Sequence, residues 1–157
     1  MSHYYRILRL GETPNAVPQL STLMQDVWPE HYGPEGEGNA EADLKARMGG
    51  DEMPLAIVVL DDKDHAVGGG ALGSTSFGAD EGETPWVIGV CIHPNHRRIG
   101  LASQVIAMLE AEANRLGFGQ VFSTVSDMSN LMSKRGWHAL RQVSDNDSWQ
   151  VMLKKVA

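Results

Sequence analysis

The segment Val90-Cys91-Ile92-His93-Pro94-Asn95-His96-Arg97-Arg98-Ile99-Gly100-Leu101-Ala102-Ser103 gathers the residue types that hold a phosphorylated ligand. An apolar strand runs into a basic, glycine-bearing turn, and the turn opens directly onto a long amphipathic helix. The first turn of a helix presents unpaired N–H groups and the positive end of the helix dipole, which together bind anions. Gly100 allows close approach to the backbone, with no Cβ in the way. Arg97 and Arg98 stand at the helix end where cations oppose the dipole, a placement that an anion between them would offset. The alternative is a solvated turn with two arginines.

Three other patterns carry weaker chemistry. Gly68-Gly69-Gly70-Ala71-Leu72-Gly73 satisfies the dinucleotide fingerprint G-x-G-x-x-G, but Ser74-Thr75-Ser76-Phe77 follows where a helix is required. Glycines inside a strand mark a bulge or a close backbone approach instead. His93 and His96 flank a proline turn with no cysteine or carboxylate nearby, so no metal site is expected. Cys91, the one cysteine, sits mid-strand as a buried thiol does, and it excludes an internal disulfide.

The elements that position these residues follow from periodicity. Strands are expected at Tyr4–Leu10, Leu55–Leu60, Ala66–Phe77, Trp86–Ile92, Val121–Val125, Trp137–Val143 and Trp149–Lys154. Helices are expected at Val17–Trp28 (ended by Pro29), Glu41–Met48, Gly100–Leu116 and Asp127–Arg135. Glu30–Ala42 and Gly78–Pro85 read as acidic loops, and Ser144-Asp145-Asn146-Asp147 as the last turn. The order β-α-α-β-β-β-α-β-α-β-β describes a mixed α/β chain of the α+β type. With 157 residues and no linker, residues 1–157 are expected to form one domain.

Composition narrows the partners. Lys plus Arg total 13 against 20 Asp plus Glu, a net charge of −7, which argues against nucleic acid. No apolar run is long enough for a membrane span, and Met1-Ser2-His3-Tyr4-Tyr5-Arg6 lacks the apolar stretch of a signal peptide. A cytoplasmic protein is expected.

The chain resembles the GNAT superfamily, the acetyl-CoA-dependent N-acyltransferases. Their phosphate-binding signature Q/R-x-x-G-x-G/A reads here as Arg97-Arg98-Ile99-Gly100-Leu101-Ala102, after Ile92-His93-Pro94. A second signature, a short helix ending in Gly-Phe or Gly-Trp, reads as Asn130-Leu131-Met132-Ser133-Lys134-Arg135-Gly136-Trp137. The resemblance covers nearly the whole element order. It implies a central, mostly antiparallel, twisted sheet that splays between the fourth and fifth strands. It further implies that Cys91, Ile92 and His93 pair with the pantetheine arm of acetyl-CoA, a co-substrate, while the amides of Arg98, Ile99, Gly100, Leu101, Ala102 and Ser103 hold the pyrophosphate. Asn130 and Ser133 fall where the family's last helix approaches that arm. Trp28 and Tyr32 are the aromatics expected near the substrate, in preference to Trp86 and Trp137. No metal is implied, and a homodimer fits the family's habit.

The implied reaction is direct attack of a primary amine, on a small molecule or peptide, in a ternary complex with acetyl-CoA. Two departures bear on it. Family members usually carry a tyrosine four residues before the glycine of the second signature, to protonate the departing thiolate; here that residue is Met132. A methionine is no acid, which leaves Ser129, Ser133 or water. The glutamate that family enzymes place on the fourth strand or at its entrance is missing from Trp86–Ile92, and Glu83 is the nearest substitute, with Glu81 and Asp80 behind it. A catalytically degraded acetyl-CoA sensor is therefore the rival reading. The acidic loops suggest a cationic amine as acceptor.

Overall fold

The computed structural model describes residues 4–143 and 146–156, so Met1–His3 and the predicted turn residues Ser144 and Asp145 lie outside it. The chain forms β1 (Arg6–Arg9), α1 (Val17–Val27), α2 (Pro29–Tyr32), α3 (Ala40–Lys45), β2 (Leu55–Leu60), β3 (Ala66–Gly73) and β4 (Trp86–Ile92). It continues with α4 (Leu101–Arg115), β5 (Gln120–Val125), α5 (Ser129–Lys134), β6 (His138–Val143) and β7 (Asn146–Lys155). The seven strands make one sheet in the order β1-β2-β3-β4-β5-β7-β6. Every neighbouring pair is antiparallel except β4 and β5. This is the mixed α+β architecture expected from the element order.

Both faces of the sheet are covered, which explains the unbroken apolar run Leu55–Leu60. Leu55, Ile57 and Val59 face α4 with its Val105, Ile106 and Leu109. Ala56, Val58 and Leu60 face α1 and α3, against Leu20, Met24 and Leu44. A strand buried on both faces shows no alternation of polar and apolar residues.

The glycines of β3 let the two helical layers approach. A Cβ on Gly69 would stand 2.7 Å from the carbonyl oxygen of Ile57 and 3.3 Å from Leu20 of α1. A Cβ on Gly70 would stand 3.0 Å from Leu109 and Val105 of α4. These glycines serve packing, and no helix follows them to face a dinucleotide.

Differences from the expected elements have local causes. Helix α1 does stop before Pro29, with Trp28 already outside the helical region, but the fixed φ of proline also suits a first helical turn, and Pro29–Tyr32 forms a further short helix within the expected loop. The first strand is shorter than Tyr4–Leu10, because Leu10–Glu12 turns into a 3-10 helix. The second strand of the hairpin stops at Gly73, well before Phe77. Helix α3 starts one residue early because the Asn39 side chain caps it, accepting from the Ala42 amide at 3.0 Å. No helix among the described residues is long and apolar enough to cross a membrane.

Candidate active site

The candidate site lies between β4 and β5. Their parallel ladder has a single pair, Trp86↔Phe122, over which the two rings stack at 5.2 Å. One residue on, the buried Ser123 hydroxyl donates to the Val87 carbonyl at 2.9 Å, a side chain bridging where the backbone ladder has ended. On its other side β4 carries a bulge. Between Gly69↔Cys91 and Ala71↔Ile88, one residue of β3 opposes two of β4, and Gly89 there takes φ +62°. Beyond the single pair, Val87–Val90 of β4 and Ser123–Val125 of β5 line a cavity of about 380 Å³, joined by Asp127, Met128, Trp28 and Trp149.

A second cavity, of about 560 Å³, lies toward the start of α4. Val90, Cys91 and Ile92 form one wall, and Arg97, Arg98 and Gly100–Ser103 close its end. Here the backbone is unusual. Arg98 has φ +67° and Gly100 φ +87°, both in the left-handed region. A turn with left-handed residues that runs into a fifteen-residue helix has the backbone of an anion seat, in which neighbouring amides face one ligand. The Arg97 Nε donates to the Ile92 carbonyl at 2.8 Å, tying the turn to the end of β4. A Cβ added at Gly100 would meet nothing within 4 Å, so the seat is open. Trp28, Val90, Asp127 and Met128 line both cavities and mark their junction.

Most of the sequence-predicted residues converge here. Cys91, Ile92, Arg97, Arg98, Gly100, Leu101, Ala102 and Ser103 line the second cavity, and Trp28 lines both. Tyr32, His93, Ile99, Asn130 and Ser133 line neither: Asn130 and Ser133 are exposed on α5, while Leu131 of that helix and Met128 just before it flank the cavities instead. Among residues 4–143 and 146–156, no group of three or more His, Cys, Asp or Glu is placed to hold a metal ion. Burial pushes the Cys91 thiol up to about 12, which makes it inert as a nucleophile. Tyr32 packs on Trp28 and donates its hydroxyl to Asp43 at 2.6 Å; burial first and that bond second raise it to about 12. Trp86 and Trp137 are buried in the core, as is Met132, which also lines the first cavity.

Glu83 is the expectation that the geometry disfavours. Its carboxylate takes both terminal nitrogens of Arg141, at 2.8 and 2.6 Å, and accepts the Asp80 amide at 2.8 Å. The hydrogen bond from Arg141, above all, holds it below the ordinary carboxylate range. A carboxylate so occupied is a poor proton acceptor, and Glu83 lines neither cavity. The acidic loops are likewise partly neutralised, Asp80 by Arg141 and Glu41 by Lys45, so they offer less free negative charge than their composition suggests.

The sequence reading missed three features. Gly89 in Trp86–Ile92 was the signal for the bulge, since a lone strand glycine often marks one. Trp149, on β7, packs edge-to-face with Phe77 at 6.1 Å and reaches the first cavity; no local signal separates it from any strand tryptophan. Asp127 carries no signal beyond being a turn residue before a helix.

Comparison with known proteins decides the family. The model of the acetyltransferase (GNAT) family matches residues 20–138, well over half of the chain. The protein belongs to the GNAT family. GNAT acetyltransferases of solved structure share its fold at low identity. An aminoglycoside 6'-N-acetyltransferase complexed with coenzyme A is 14% identical, covers 97% of both chains and superposes with a TM-score of 0.77. The aminoglycoside 6'-N-acetyltransferase from Enterococcus faecium is 15% identical, with the same coverage and a TM-score of 0.77. The GNAT family N-acetyltransferase YhbS from Escherichia coli, in complex with CoA, is 18% identical over all of this chain and 84% of its own, with a TM-score of 0.72. No curated protein matches the sequence. The turn Arg97–Ala102 follows β4, and Gly136-Trp137 follows α5.

Proposed function

We propose that the protein transfers an acetyl group from acetyl-CoA to a primary amine of a small molecule or peptide, by direct attack in a ternary complex. The observation that carries this is the pair of cavities meeting at Trp28, Val90, Asp127 and Met128, one of them ending in the amide seat of Arg98–Ser103. In this reading the pyrophosphate of acetyl-CoA, a substrate consumed in the reaction, sits on that seat. The pantetheine arm runs along Cys91 and Ile92 in the gap between β4 and β5, and the amine enters by the other cavity. Holding the two reactants in near-attack geometry is the main source of acceleration. Backbone N–H groups around the Gly89 bulge polarise the thioester carbonyl and stabilise the oxyanion as it forms. The coenzyme A in the YhbS and aminoglycoside acetyltransferase structures supports the choice of ligand.

The rival, an acetyl-CoA sensor without turnover, draws on Met132: the residue in the family's acid position is 1% exposed and packed in the core. Thiol release separates the two. With acetyl-CoA and a panel of amino acids, polyamines, aminoglycosides and peptides, the transferase reading expects free thiol to appear with saturating dependence on at least one amine. Binding of acetyl-CoA with no thiol release from any of them would leave the sensor.

A further inference from the structure

We propose that Asp127 is the proton shuttle of this reaction, taking a proton from the attacking nitrogen and giving it to the departing sulfur. The proposal rests on the acyltransferase reading above. It starts from a juxtaposition: among the described residues, Asp127 is the one acidic residue that lines either cavity, and it lines both. A group at the junction reaches the nucleophile on one side and the leaving group on the other.

The occupancy of acids elsewhere in the fold supports the assignment. Glu83 is bound by Arg141, Asp43 by the Tyr32 hydroxyl, and Glu110 by Arg135 and Lys154. The Asp127 carboxylate makes no hydrogen bond or ion pair with any described residue. Its backbone is nonetheless held, because the Ser129 amide bonds the Ser126 carbonyl at 3.3 Å and the Met132 amide bonds the Met128 carbonyl at 2.9 Å around it. The nearest competitor, His96, lines only the second cavity, and its Nδ1 lies 2.8 Å from the Tyr5 hydroxyl. With no acid on β4 and Met132 in the core, a single carboxylate at the junction serves for both the base and the acid.

The amine binds as the free base, its ammonium proton having passed to water. Its nitrogen lone pair forms the C–N bond at the thioester carbonyl carbon, and the C=O π pair moves to oxygen. The nitrogen, now positively charged, gives one proton to the Asp127 carboxylate. The oxygen pair re-forms C=O, the C–S bond breaks, and sulfur leaves as thiolate. That thiolate, of a thiol with pKa about 8.5, takes the proton from the Asp127 carboxylic acid. Amine and thioester become amide and thiol, and the carboxylate is regenerated.

Asp127→Asn tests this with little change of shape. The variant should bind acetyl-CoA within about twofold of wild type while kcat falls by about 10²–10⁴-fold. Added formate should restore part of the activity of Asp127→Ala. A readout independent of turnover is the titration of bound CoA, followed by thiolate absorbance or alkylation. Removing a negative charge beside the sulfur should move that titration down by about one pH unit. An unchanged titration, or a kcat kept within about threefold, would overturn the role. If wild-type protein acetylates no amine, the acyltransferase reading itself fails and takes the shuttle with it. A kcat loss matched by an equal loss of acetyl-CoA affinity would show a structural role and also overturn the proposal.

Discussion

Replacing Glu110 by alanine lowers the stability of the fold by about 3 kcal/mol, at the lower end of the range for breaking a buried ion pair. Glu110, on α4, is 8% exposed and gathers three elements. Its carboxylate accepts Arg135 at 2.8 and 3.1 Å, the buried Trp137 Nε1 at 2.9 Å and Lys154 at 2.8 Å. Truncation leaves two half-buried cations facing each other and an indole N–H with no acceptor, so the cost exceeds that of one lost bond. The lower end applies because Arg135 and Lys154 keep 23% and 21% of their side-chain surface in water. For a chain of this length the loss corresponds to a drop in Tm of roughly 6–12 °C. The same cluster reaches the site: Arg135 also donates to the Ser103 hydroxyl at 3.3 Å, in the first turn of α4.

The pH dependence of that contribution has a definite sign. Burial alone would push the Glu110 carboxyl up, but the bonds from Arg135, Lys154 and Trp137 outweigh it and hold the folded-state pKa below the ordinary 4.5. A depressed carboxyl stabilises the fold above its unfolded pKa and loses that contribution as pH falls through the folded value. The gap between wild type and Glu110→Gln should therefore be full at neutral pH and close progressively below pH 4.5. Thermal unfolding of both proteins across acidic pH reads this directly. A gap that stays constant on acidification would mean the charge does not contribute.

The second large effect is on binding. Gly100→Ala should weaken acetyl-CoA about tenfold, with little loss of stability. The added Cβ has open space around it, so no clash occurs. The difficulty lies in φ +87°, a conformation that costs a non-glycine residue of order 1–3 kcal/mol. The free turn escapes that strain by rotating Gly100 out of the left-handed region, which turns the following amides away from the seat. The ligand must then restore the strained form, and the cost appears as lost affinity. Calorimetric titration with acetyl-CoA measures it. Equal affinity in the variant would mean that the seat does not depend on this backbone.

Much of this was legible in the residues, and the reasons differ by element. Trp86–Ile92 is bounded by a proline on either side and is found with no error in its limits. Val17–Val27 and Leu101–Arg115 have clear apolar faces; the first differs from expectation by one residue at its end, the second by one residue at each end. The basic turn was legible because its chemistry is local: the strand, the glycine and the helix start are consecutive. What the sequence hid was non-local. Glu83 and Arg141 stand 58 positions apart, and nothing near Glu83 announces that its carboxylate is occupied. Glu110 and Glu112 lie among the polar residues of an amphipathic helix, yet both are buried because cations from distant segments meet them. Asp127 looks like any turn acid until the two cavities are seen to share it.

A thermal-shift titration with acetyl-CoA, with NADH and ATP as controls, shows whether the protein binds this cofactor selectively. At 100 times its dissociation constant, a ligand that binds only the folded state adds about 2.7 kcal/mol, which for a chain of this length raises Tm by roughly 5–10 °C. Acetyl-CoA should give that shift, NADH none, and Gly100→Ala a reduced shift at the same acetyl-CoA concentration. No shift at millimolar acetyl-CoA would mean that the Arg97–Ser103 turn is only a turn, and would contradict the proposed function at its base.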